Sequence, residues 1–184
     1  MARKESITKK MILEAAFSLA KEEGLSAVTA RRVAQKAGCS TQPIFRIYVN
    51  MEDVITDVIE MTIQYFSDYY EAYEKTEEVP FVNLGLAYIK FAKENENLFR
   101  ILFASHAKKT CSTYELINGK NQEYVLRELK KITDLQREEA GEIFSKIWIF
   151  IHGLACMVLN GDFDLSKEET TQMLKDIYLS LRKA

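Results

Sequence analysis

Along most of the chain apolar residues recur three and four positions apart, and only two prolines and seven glycines interrupt them. That spacing lines apolar side chains along one helix face, so the pattern predicts an almost entirely α-helical protein. A first helix is expected from about Thr8 to Glu23, with Ile12, Ala15, Ala16 and Leu19 as its inner stripe, Phe17 beside them and Gly24 as its stop. Leu25 and Val28 follow as plugs for a small core.

The stretch Thr29–Tyr48, TARRVAQKAGCSTQPIFRIY, then reads as two short helices around a tight turn. Thr29 is a good N-cap, and Val33, Ala34 and Ala37 give the first of them a narrow apolar stripe. Gly38 is placed to end it, because glycine takes the left-handed backbone without a Cβ penalty. Cys39 is expected half-buried in the turn. Ser40 is expected to cap the second helix, with Pro43 at its third position, where the missing N–H has no helical partner to lose. Ile44, Phe45 and Ile47 supply apolar bulk, while Thr41, Gln42 and Arg46 share an exposed side. Helix, glycine turn and a second helix opening with small polar residues make a helix-turn-helix, whose second helix enters the DNA major groove. An ordinary helical hairpin has the same outline. The balance tips because no carboxylate occurs between Glu23 and Glu52, which suits a surface facing phosphate.

Asn50 and Asp53 frame the start of a long fourth helix that reaches about Tyr73. Its apolar residues cover more than one face, so it is expected to serve both the head and the body, as a lever between them. The acidic run Glu74–Glu78 ends it, and Pro80 opens another helix with Phe81, Leu84, Ala87, Tyr88 and Phe91 as its stripe. A short helix near Leu98–Ala104, a looser polar region at His106–Thr113 and helical material from Tyr114 to Ile132 come next. The helix from about Arg137 to Leu159 is apolar nearly all round at its centre, so it must be covered on more than one side. Gly153, Ala155 and Cys156 permit close approach there, and Asn160-Gly161 stops it. A capping box, Ser166-x-x-Glu169, opens the last helix, which presents Met173, Leu174, Ile177, Tyr178 and Leu181. Two long helices with apolar outer faces predict a four-helix interface between two copies. The expected organisation is all-α, about nine helices: a three-helix head over residues 1–49 and a larger ligand-binding and dimerisation body over 50–184.

Charge sharpens this division. The formal net charge of −2 conceals nine Lys/Arg against four Asp/Glu in residues 1–50, a net of +5, and sixteen against twenty-three in the remainder, a net of −7. A basic end on an acidic body is an electrostatic footprint for nucleic acid confined to that end. Cys39, Cys111 and Cys156 have no metal-like spacing, and His106 and His152 are the two histidines, so neither a zinc site nor a disulfide framework is expected. No apolar run approaches a membrane span and no signal core follows the basic start, so a cytoplasmic protein is expected.

The run Ile12–Val54, above all AAFSLAKEEGLSAVTARRVAQKAGCSTQPIFRIYVNMEDV, resembles the TetR/AcrR-type bacterial transcriptional regulators. The shared features are the alanine-rich first helix, Gly24, Thr29, Val33-Ala34, Ala37-Gly38, Ser40 and aromatics at 45 and 48. The run Trp148–Ala155, WIFIHGLA, is similar to a C-terminal variant within that family. The resemblance implies a homodimer, joined through the last two helices, with DNA-reading heads and a body that takes a small molecule. It implies a repressor of a palindromic operator in double-stranded DNA, released by that ligand, with no cofactor or metal. Phe45, Ile47 and Met51 depart from the usual tyrosine, histidine and lysine, so some phosphate anchoring must come from elsewhere.

The segment Ser40–Tyr48 is expected to enter the groove. Thr41, Gln42 and Arg46 would read bases, with Ser40, Pro43 and Phe45 beside them. Thr29, Arg31, Arg32, Thr41, Arg46 and Tyr48 would anchor phosphates, backed by the basic arm Arg3–Lys10. Tyr65, Phe66, Tyr69, Phe91, Phe103, Trp148 and His152 are candidate liners of an effector site suited to an apolar or aromatic molecule, although aromatics at helical spacing also build ordinary cores. An enzyme is not expected, since the chain has no H-E-x-x-H, nucleophile elbow or phosphate-binding glycine loop. The alternative is a helical dimerisation or adaptor module with weakened or no DNA binding.

Overall fold

The computed structural model describes residues 7–104 and 137–182. The expected polar region at His106–Thr113, the helix at Tyr114–Ile132, and Arg3 and Lys4 of the arm lie outside the described residues. Eight α-helices and no strand occur among those described.

Helix α1 spans Lys9–Glu23. The Thr8 hydroxyl caps it by accepting the Met11 N–H at 3.3 Å, and Gly24, at φ 85°, ends it. Ile12, Ala15, Ala16, Phe17, Leu19 and Ala20 turn inward. A short 3-10 turn, Leu25–Ala27, leads to α2 (Ala30–Lys36) and α3 (Gln42–Ile47). The turn between them closes as a Schellman motif: Gly38, at φ 68°, donates to the Gln35 carbonyl at 3.2 Å, and Cys39 to the Ala34 carbonyl at 2.9 Å.

The caps of these two short helices correct the expectation. Thr29 is the N-cap of α2, but its hydroxyl makes no capping bond. Thr41 rather than Ser40 precedes α3, because the Thr41 carbonyl accepts the first helical bond, from the Phe45 N–H. Pro43 therefore stands at the second helical position, where its missing N–H is equally harmless. Six residues cannot hold a helix by themselves. Burial of Ile44 and Tyr48, one turn apart on the same side, seats α3 against its neighbours.

Helix α4 spans Met51–Ala72, and the Asn50 side-chain carbonyl accepts the Asp53 N–H at 3.0 Å at its start. It contributes to both compact units of the chain. The first unit runs to Tyr65, past the expected boundary at residue 49, and takes in Asn97 to Ala104. Those residues belong to α6 (Glu96–Phe99) and a π turn, Arg100–Ala104.

The second unit contains α5 (Pro80–Glu94), α7 (Arg137–Asn160) and α8 (Lys167–Arg182). Here the expected burial pattern is corrected. Helix α5, read as having a single apolar stripe, is buried at every residue from Phe81 to Ile89. The reason is Gly85: a Cβ there would come within 2.8 Å of Leu174 on α8 and 3.1 Å of Ile151 on α7, so both helices cross α5 at its glycine. Helix α7, read as apolar nearly all round, is instead covered on one side among the described residues. Ile149, Gly153 and Met157 are exposed on its other side, and so is Leu179 on α8. Asn160-Gly161 ends α7 in a second Schellman motif, with Asp162 donating to the Met157 carbonyl at 2.9 Å. The capping box of α8 is reciprocal: Ser166 N–H donates to Glu169 Oε2 at 2.9 Å, and Glu169 N–H to Ser166 Oγ at 3.1 Å. Those bonds hold the Glu169 carboxyl below its usual pKa.

Candidate DNA-reading surface

Helix α3 turns Thr41, Gln42, Phe45 and Arg46 outward, with Ser40 exposed just before it and Pro43 and Ile47 half-buried at its edges. At 3.6 residues per turn these four fall within roughly 140° of the helix circumference. Phe45, expected to supply apolar bulk and to stand beside the base-reading residues, is 51% exposed, because Ile44 already occupies the inward direction.

The two neighbouring arginines of α2 differ. Arg32 pairs with Glu23 at the end of α1, which raises its pKa further. Lys36 pairs with Glu22 at 2.6 Å, and with Ser18 it holds the Glu22 carboxyl below its ordinary pKa. Arg31 and Arg46 are exposed and form no ion pair with a carboxylate among the described residues. Thr29 is exposed as well, so the head presents these side chains to solvent as donors.

Tyr48 corrects the expectation of a phosphate contact. Only 5% of it is exposed, and its hydroxyl donates to Asp57 Oδ2 at 2.8 Å. Burial first, and then the Asp57 carboxylate, raises the pKa of the phenol. Lys9, from the expected arm, is likewise engaged, 2.7 Å from Asp57. Sequence reading missed Asp57; the one signal was a carboxylate lodged between Val54 and Val58 on the apolar side of α4. A shallow hollow of about 340 Å³ opens beside this cluster, but Asp53 and Asp57 in its wall make it unsuited to an anion.

The candidate effector residues divide between the units. Tyr65 belongs to the first, its hydroxyl accepting from Lys21 Nζ at 2.7 Å and its ring against Phe17. Phe103 is also there, beside Phe99 at 5.1 Å. In the second unit Phe66, Tyr69, Phe91, Trp148 and His152 gather round Tyr88. Ring centres are 4.8 Å apart for Phe66–Phe91, 5.2 Å for Tyr69–Phe91 and 4.8 Å for Tyr88–Trp148. Phe66, Phe91 and Trp148 are buried in this packing; Tyr69 and His152 are half-exposed. Tyr69 donates to Glu94 at 2.6 Å, and the Tyr88 hydroxyl lies 3.0 Å from His152 Nδ1. Burial pushes the His152 pKa down.

Residues 12–58 match the family model of bacterial regulatory proteins, tetR family, and residues 81–178 match that of the tetracyclin repressor-like C-terminal domain. No curated protein matches the chain. Its fold is similar to that of a TetR-like transcriptional regulator from Rhodococcus sp. RHA1, with a TM-score of 0.63, 12% identity and 96% of each chain covered. A second transcriptional regulator from the same organism gives a TM-score of 0.63 at 13% identity, covering 96% of this chain and 97% of the other. A TetR transcriptional regulator, also from that organism, gives 0.53 at 16% identity, covering 95% and 94%. No helix among the described residues is long and apolar enough to cross a membrane.

Proposed function

The chain belongs to the TetR family of bacterial DNA-binding transcriptional regulators, not enzymes, and from that premise we propose a homodimeric repressor released from a palindromic operator by a small molecule. The observation that carries the DNA part is the outward side of α3. Gln42 and Arg46 stand there with Arg31 nearby, in a stretch without carboxylates from Glu23 to Glu52. In the proposed complex, glutamine favours adenine and arginine guanine, each good bidentate contact discriminating by about 1–3 kcal/mol. Arg31 and Thr29 hold phosphates and set the register.

Two copies joined through α7 and α8 would place their heads in major grooves about one helical turn (~34 Å) apart. The exposed apolar residues Ile149, Met157 and Leu179 support that joining face. An apolar or aromatic effector would reach the second unit at Tyr69 and His152, with Phe66, Phe91 and Trp148 as the packed wall behind them. It acts by preferring the arrangement of heads that does not fit the operator.

Selection of sites from a random DNA pool, at low and high salt, tests this reading. The expected result is a palindrome with half-sites about one turn apart and retention that falls steeply with salt. Salt-sensitive retention without an enriched sequence reduces the head to a basic patch. No retention at all puts the adaptor reading in its place.

A further inference from the structure

Asp57 follows soon after a stretch of the head that is free of acids from Glu23 to Glu52, and it binds partners from two other helices. Its Oδ2 accepts the Tyr48 hydroxyl at 2.8 Å and lies 2.7 Å from the Lys9 ammonium. Lys9 opens α1, Tyr48 closes α3 and Asp57 stands within α4, so one carboxylate ties three helices of the first unit. The Lys9 ammonium also lies 5.1 Å from the centre of the Tyr48 ring.

Of the two contacts, the one to Tyr48 holds harder. The Lys9 side chain is 60% exposed, and an ion pair in water contributes little. Tyr48 is almost wholly buried, and a buried hydroxyl deprived of its acceptor bears the cost of desolvation. Val54 and Val58, both fully buried, fix the backbone that presents the carboxylate. Ile44 seats α3 by apolar contact, which has no preferred direction, whereas a hydrogen bond weakens steeply off its line. The Tyr48–Asp57 bond therefore adds what apolar packing lacks: a fixed rotation for a helix of six residues.

We propose that Asp57 is a positioning residue for sequence reading. Through Tyr48 it sets the pose in which Gln42 and Arg46 meet the bases, while its charge beside Lys9 lowers the local attraction for phosphate. This rests on the DNA-binding reading above. It accounts for a carboxylate close to a surface where phosphate repels it: Asp57 sacrifices some general attraction for discrimination.

The test compares the full chain with Tyr48→Phe, Asp57→Asn and Asp57→Glu. The probes are duplexes that the wild type selects from a random pool and a random-sequence duplex, over a salt series. Tyr48→Phe keeps the ring in the core and removes the hydroxyl alone, so it carries the test should Asp57→Asn fail to fold. Tyr48→Phe is expected to lose about tenfold in the ratio of selected to random binding, and Asp57→Asn, whose amide oxygen still accepts the hydroxyl but carries no charge, a smaller part of it. Asp57→Asn is expected to bind random DNA at least as tightly as the wild type, because a negative charge close to the phosphates is removed. Asp57→Glu recovers part of the ratio. In the protein without DNA, amide hydrogen exchange of Ile44–Tyr48 quickens in Tyr48→Phe while that of α1 does not.

An unchanged ratio in Tyr48→Phe overturns the proposal. So does a gain in Asp57→Asn that is equal on selected and random DNA, which would make Asp57 only a repeller. If the wild type selects no sequence, the DNA-binding reading falls instead, and exchange in α3 then decides whether the tether exists.

Discussion

Arg31 and Gln42 are both exposed polar side chains of the head, yet the proposed complex gives them different work. Arg31 stands on α2, and in the proposed complex its guanidinium meets phosphate whatever the sequence. Gln42 is the first residue of α3, where an amide meets a base edge. Arg31→Ala is expected to weaken selected and random duplexes equally and to lower the salt slope by about 1. Gln42→Ala is expected to cost about 1–3 kcal/mol on the selected duplex and little on random DNA. Titrations of both variants on both duplexes check this; equal losses on the two duplexes for Gln42→Ala would remove it from base reading. His152 gives a residue-scale prediction in pH. Burial lowers its folded pKa below the ordinary 6.5, so stability is whole above that value. As pH falls further the unfolded chain takes the proton first and stability declines. The urea midpoint is expected to drop between about pH 7.5 and 5.5, and to drop less in His152→Gln. Equal slopes in the two proteins would mean that His152 does not titrate differently on folding.

At the scale of elements, two glycines serve different physical needs. Gly38 has φ 68° in the turn between α2 and α3, and a Cβ there would meet nothing within 4 Å. Gly38→Ala is therefore expected to cost only the left-handed backbone, about 1–2 kcal/mol. Gly85 has ordinary helical backbone but is crossed by Leu174 and Ile151. There alanine gains about 1 kcal/mol in helix propensity and forfeits about 1–3 kcal/mol to overpacking, so a net loss is expected. Urea unfolding of both variants measures this. A stabilised Gly85→Ala would show that the side-chain ends of Leu174 and Ile151 move aside without cost.

For the whole molecule, the exposed apolar residues of α7 and α8 are the face on which the proposed homodimer rests. Ile149 is 64% exposed and Leu179 51%, while Gly153 leaves α7 flat between Ile149 and Met157. The proposed homodimer would cover this face. Ile149→Glu is expected to convert a dimer into a folded monomer and to weaken operator binding, because two half-sites are no longer held together. Light scattering with circular dichroism checks mass and helix content together. A wild type of monomer mass would remove the dimer from the proposal.

The sequence alone determined what depends on neighbours within a turn or two. Thr8, Gly24, Gly38, Asn50 and the Ser166–Glu169 pair mark helix ends because a cap is a bond between residues three to six apart. The helix-turn-helix was legible for the same reason, its outline lying in one continuous stretch. Only tertiary structure decided which of two similar residues faces outward. Phe45 and Tyr48 are both aromatic, but α4 supplies Asp57 to one while the other stays 51% exposed. Arg31 and Arg32 are adjacent, but the end of α1 brings Glu23 to one alone. Helices α5 and α7 carry similar apolar density, and the crossing at Gly85 makes α5 the buried one. Periodicity reports that a face is apolar; how many neighbours pack against it is set by where other helices lie, which no local spacing encodes.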